Sequence, residues 1–126
     1  MLGLLLVTHA PLGTAFLQAV AHVYRQAPER LEAIDVLADQ DIEAVNKLVA
    51  AAVQRLNDGA GVLVMTDILG ATPSNCCSNV REQVQVAVIT GLNLPMLLRA
   101  INYRHESLEA VVELALEGGH KGAQRA

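Results

Sequence analysis

The sequence predicts an α/β fold of three layers, a mainly parallel sheet of strand order 2-1-3-4 with helices on both faces. Three observations lead there. Short, continuous apolar runs alternate with longer segments whose apolar residues recur every three or four positions. Two of the runs end in an ionisable residue, LGLLLVTHA at His9 and VLVMTD at Asp67. Glycine, proline, asparagine and aspartate fall between the segments, where turns and helix ends belong. Such alternation means parallel strands joined by right-handed helical crossovers.

LGLLLV (2–7) is apolar throughout and suits a strand buried on both faces. Pro11 stands where a helix opens, and Phe16, Ala19, Val20 and Val23 follow at helical spacing until Pro28 closes the segment. LEAIDV (31–36) carries Glu32 and Asp35, which suits an edge strand. Asp39 or Asp41 caps the next helix, whose core stripe reads Ile42, Val45, Leu48, Val49, Ala52, Val53 and Leu56. Asn57-Asp58-Gly59 ends it, with glycine available for a left-handed cap.

GVLVM (61–65) is the third strand. Thr72-Pro73 supplies an N-cap and a first-turn proline for a helix through about Glu82. VQVAVIT (84–90) is the fourth strand, and Pro95 starts a helical piece, MLLRAI. SLEAVVELALEGG is a last helix with Leu108, Val111, Val112, Ala115 and Leu116 inside, stopped by Gly118-Gly119. Residues 1–117 read as a single domain and 118–126 as a polar tail, either a frayed end or a short edge strand.

The chain has 126 residues, the usual size of one domain, and 52% hydrophobic residues, enough for a core. Its net charge of −4 and scattered arginines argue against a general nucleic-acid grip. No apolar run reaches the roughly 18 residues of a membrane span, and MLGLLLV lacks the features of a signal peptide. Cys76 and Cys77 are adjacent, which argues against a disulfide between them, and their spacing does not suit zinc. They read as small buried residues of a reduced, cytoplasmic protein, with no metal or cofactor called for.

In a 2-1-3-4 sheet, strands 1 and 3 are neighbours and the winding reverses between them. A crevice opens there, beyond the C-terminal ends of the strands. His9 and Asp67 each follow their run by two residues, so the topology brings them together. A carboxylate that accepts from one imidazole nitrogen fixes the tautomer and leaves the other lone pair free. No GxSxG elbow is present, so the histidine itself is the candidate nucleophile and Asp67 its orienter. Phosphorus is a suitable electrophile for an imidazole at neutral pH. Amides past Gly70-Ala71-Thr72 at a helix start favour an anion, and the Thr72 hydroxyl either donates to it or is spent on capping. GLNLP (91–95) is either a wall of the crevice or a plain turn. His22, His105 and His120 read as ordinary surface histidines.

Three motifs then carry a family likeness: LLLVTHAPLG, VLVMTDILGATPSN and VITGLNLPML, in matching order and spacing. Over about residues 1–117 the chain resembles the mannose-type (mannose/fructose/sorbose) IIA component of the bacterial phosphoenolpyruvate-dependent sugar phosphotransferase system. The resemblance implies that His9 accepts a phosphoryl group from the phosphocarrier HPr and passes it to a IIB partner. It implies that Asp67 orients His9, that Thr72 and nearby amides contact the phosphoryl group, and that the protein is a homodimer, often with its C-terminal strand exchanged. A surface facing HPr and IIB that is apolar with an acidic rim would match a basic carrier.

Ala10 stands where the family usually has glycine, and Gly-Ala-Thr-Pro-Ser-Asn (70–75) where it has Gly-Gly-Ser-Pro-Phe-Asn. Threonine keeps the hydroxyl, Ala71 narrows the backbone's freedom, and Ser74 removes an aromatic that would face a partner. The same likeness covers stand-alone regulatory IIA proteins that signal carbon status and the phosphotransfer subunit of dihydroxyacetone kinases. An aspartate-phosphorylated receiver would need an acidic pair at Thr8-His9 and a lysine after a fifth strand, and has neither. A flavodoxin-like module that only binds a flavin or nucleotide is the remaining alternative.

Overall fold

The computed structural model describes residues 1–68 and 71–126, apart from the side chain of Ser74. Its elements follow in the order β1 (Gly3–His9), α1 (Leu12–Tyr24), β2 (Leu31–Val36), α2 (Ile42–Leu56), β3 (Val62–Thr66), α3 (Thr72–Asn75), β4 (Val86–Ile89), α4 (Leu94–Tyr103) and α5 (Leu108–Gly122). The strands are all parallel and lie in the order β2-β1-β3-β4, as the alternation predicts. β1 is paired on both sides, Val7 to Ile34 of β2 and to Thr66 of β3.

Each face of the sheet has its own apolar core. Leu5, Val7, Val62 and Val64 pack with Val45, Val49, Ala52 and Val53 of α2 and with Cys76, Cys77 and Val80. Leu4, Leu6, Leu63 and Met65 pack on the opposite face with Val20 of α1, Leu97 of α4 and Val111 and Ala115 of α5. This explains why β1 from Leu4 to Val7 and β3 from Val62 to Met65 are apolar at every position: neither face meets water. At the other end of the strands, buried Arg104 donates to the carbonyls of Leu2, Glu29 and Arg30, tying the end of α4 to the starts of β1 and β2.

Several boundaries differ from expectation. In α2, Ile42 and Leu48 are about half exposed rather than in the core. Helical side chains lean toward the N-terminus, so Ile42 overhangs the helix start, and Leu48 falls on the flank of the stripe. Val23 of α1 is likewise half exposed. Asp41 is the cap of α2, accepting from Glu43 N at 3.3 Å. Asn57, not a left-handed glycine, ends it, and its Oδ1 accepts from both Gly59 N and Gly61 N.

The helix expected through Glu82 is only Thr72–Asn75, followed by turns. Ser78 and Val80 donate to carbonyls three residues back, at Asn75 and Cys77. Serine and asparagine at 75, 78 and 79 compete with the backbone for hydrogen bonds and disfavour regular helix. β4 starts at Val86, and Val84 is almost wholly exposed. α5 runs through Gly118-Gly119 to Gly122, and residues 123–126 form no strand. The glycines serve packing rather than termination: a Cβ at 118 would meet Arg99 Cβ at 2.9 Å, and one at 119 would meet Met96 Cε at 2.9 Å.

Gly3 marks another close approach. A Cβ there would lie 2.6 Å from the carbonyl oxygen of Leu56, where α2 ends over the central strand. Gly3→Ala should cost about 1–3 kcal/mol by overpacking. Thermal unfolding checks this, with a melting temperature that falls by roughly 4 °C per kcal/mol in a domain of this size.

Candidate active site

The site is built where β1 and β3 end. The paired ladder between them stops at Val7–Thr66. The next β1 amide on that side belongs to His9, and no β3 carbonyl receives it. The Asp67 carboxylate does so instead, with Oδ2 2.9 Å from His9 N. On the other side of β1, Ala10 N donates to Val36 O at 3.0 Å. Asp67 therefore terminates the sheet at its switch point and holds the backbone of the histidine.

The same Oδ2 lies 2.8 Å from His9 Nδ1. Its partner Oδ1 accepts from Ile68 N at 3.0 Å. Burial pushes the Asp67 carboxyl up, but the His9 amide, the imidazole bond and its charge, and Asp67's own backbone outweigh it. The net shift is below the ordinary carboxylate range, so the group is ionised and can only accept. Nδ1 must then carry the proton, and Nε2 keeps its lone pair. The Asp67 side chain is 7% exposed and that of His9 is 48% exposed. The arrangement is an oriented, half-exposed imidazole with a lone pair left on Nε2.

A carboxyl depressed in the folded state stabilises the fold above its unfolded value, near 4. That contribution is lost as pH falls through the lowered folded value. Urea unfolding between pH 5 and about 2.5 should therefore show a shallower acid loss for Asp67→Asn than for the parent chain.

Two features at this edge were not singled out from sequence. Asp35, at the end of β2, accepts from Thr14 N at 3.2 Å and Thr14 Oγ1 at 2.5 Å, holding the start of α1. The hydroxyl of Thr8, fully buried, accepts from Gly13 N at 2.7 Å. Asp35 was legible in principle, since it ends a strand as His9 and Asp67 do. Thr8 gave no signal beyond a hydroxyl inside an apolar run.

Of the remaining predicted residues, Gly70 lies outside the described residues. Ala71 is half-buried, and Thr72 is exposed and opens α3, which packs against β1. GLNLP folds back on the site's frame, with Leu92 N donating to Thr66 O at 3.0 Å and Asn93 capping α4. His22, His105 and His120 are exposed, in α1, a turn and the last turn of α5. Among the described residues, no helix is long and apolar enough to cross a membrane, and no cluster of side chains could hold a metal.

A doubly wound parallel sheet with an oriented histidine at its switch point defines a class: α/β proteins carrying a histidine–carboxylate pair at the sheet top. Within it, the chain belongs to the family described as the PTS system fructose IIA component, whose model matches residues 3–116. It is 31% identical over 94 residues to the mannose-specific EIIAB component of Escherichia coli K12, covering 72% of this chain. The matched part is only 29% of that relative's length. It is 29% identical to the sorbose-specific EIIA component of Lacticaseibacillus casei, over 86% of this chain and 79% of that one. A crystal structure of a phosphotransferase system EIIA component from Streptococcus agalactiae superposes with a TM-score of 0.89 at 26% identity, covering 99% of this chain and 97% of that one.

Proposed function

We propose that the chain is a phosphohistidine carrier: His9 accepts a phosphoryl group from HPr and transfers it to a IIB component during sugar uptake. One observation carries the reading, the 2.8 Å bond from His9 Nδ1 to an ionised Asp67. It leaves Nε2 as the nucleophile. In the transfer an Nε2–P bond forms as the donor's bond to phosphorus breaks, and the ring becomes cationic. Asp67 stabilises that charge without reorganising, because both of its oxygens are already held by N–H groups. In the second step a nucleophile of IIB forms its bond to phosphorus as the Nε2–P bond breaks, and the imidazole returns to its neutral form.

Ala71, Thr72 and, from the family likeness, Gly70 are assigned to the phosphoryl oxygens, with the exposed Thr72 hydroxyl as a donor. Leu12 and Ile68 are exposed beside the pair in sequence, at 44% and 59%, which suits an apolar docking surface. A homodimer working in the cytoplasm belongs to the same reading. The test is to incubate the protein with phosphoenolpyruvate, enzyme I and HPr and to map the modified residue. A phosphoryl group on His9, lost in mild acid and retained in mild base, is expected. A label on any other residue overturns the assignment.

A further inference from the structure

We infer that Thr8 is a positioning residue for His9, acting through the backbone on the nucleophile's aim. The inference rests on the phosphocarrier reading for its activity arm, and on geometry alone for its spectroscopic arm. Thr8 is the last fully buried residue of β1 and its side chain spends both of its hydrogen-bonding roles at this corner. Its hydroxyl donates to the His9 carbonyl at 3.2 Å and accepts from Gly13 N at 2.7 Å. One oxygen thus spans the turn that carries the chain from the strand, past the imidazole, into α1.

The short bond to Gly13 depends on the absence of a side chain there. A Cβ at 13 would lie 2.6 Å from Asp35 Oδ1, 3.0 Å from Ala33 Cβ and 3.1 Å from Thr8 Oγ1. Gly13 is buried, so its N–H has no ready substitute in water if the hydroxyl is removed. The His9 backbone is then gripped from two directions, its N–H by Asp67 Oδ2 and its carbonyl by Thr8 Oγ1. Both grips fix where the ring stands, and with it the distance between Nδ1 and Asp67. The second clamp at the start of α1, Thr14 to Asp35, touches the helix but not His9.

Thr8→Val keeps the shape and removes both bonds. The parent chain should show His9 as a single tautomer, protonated at Nδ1, in ¹H–¹⁵N imidazole spectra. Thr8→Val should show a mixture of tautomers and broadening of the Nδ1 proton. Its rate of labelling by phospho-HPr should fall by about 10- to 100-fold, the scale of a small misplacement. Thr8→Ser should restore both. Thr14→Val, which loosens the same helix end without touching His9, should leave the tautomer unchanged. Should Thr8→Val fail to fold, Thr8→Ala and Thr8→Ser are compared by the same two measurements.

An unaltered tautomer and rate in folded Thr8→Val or Thr8→Ala overturns the inference. An equal effect from Thr14→Val does so too, since the role would then be general support of the helix. If the parent chain is labelled elsewhere than on His9, the carrier reading fails, while the spectra still decide what Thr8 does to the His9–Asp67 pair.

Discussion

His9→Ala is expected to take up no phosphoryl group from phospho-HPr, with labelling reduced by more than about 10⁴-fold, the scale for deleting a nucleophile. The imidazole is half exposed and contributes its ring to one hydrogen bond, so the fold should survive. The backbone N–H of residue 9 still reaches Asp67 Oδ2, which keeps the end of the sheet closed. His9→Gln adds a stricter comparison, because it retains a polar side chain that is not a nucleophile. Labelling with radioactive phosphoenolpyruvate, enzyme I and HPr checks both variants, with circular dichroism confirming that each is folded. Labelling of His9→Ala at the parent rate would mean that the accepting atom lies elsewhere.

Asp67→Asn should be slowed by roughly 10²–10⁴-fold while remaining folded, as when a carboxylate that holds a catalytic imidazole is neutralised. The reason is specific to the geometry. One carboxylate oxygen faces the His9 amide and Nδ1, and the other faces the Ile68 amide. All three groups are N–H donors when the ring carries its proton on Nδ1. An asparagine must turn its NH₂ toward one side or the other. It either opposes Ile68 N or forces the imidazole to present a lone pair at Nδ1, which puts the proton on Nε2 and blocks attack. Loss of the negative charge also removes the stabilisation of the cationic ring in the transition state. Single-turnover transfer from phospho-HPr measures the effect. A variant that transfers at the parent rate would show that the carboxylate does no more than close the sheet.

Much of this arrangement could be read along the chain. Uninterrupted apolar runs identified β1 and β3 as strands buried on both faces, and the alternation with helical segments implied parallel pairing in the order found. His9 and Asp67 were singled out because each ends such a run, and the order of the strands places those ends side by side. Some of the readings that failed concern residues whose role depends on a neighbour distant in sequence. Gly118 and Gly119 look like a helix stop until α4 is seen lying against them. Ile42 and Leu48 complete a helical stripe by spacing, yet the sheet beneath does not cover them.

Sequence by itself determined the period of the strands and longer helices, most of their apolar positions and the place of two ionisable side chains at strand ends, because these follow from local geometry and from which residues shun water. Tertiary structure alone decided that one Asp67 oxygen would hold both the amide and the ring of His9, that Asp35 would grip Thr14, and that the Thr8 hydroxyl would bridge His9 and Gly13. A hydrogen bond is made only within a few tenths of an ångström and a narrow range of angles. Such closeness between residues as far apart as 9 and 67 is set by the packing of the whole sheet and its helices, and no local pattern in the chain encodes it.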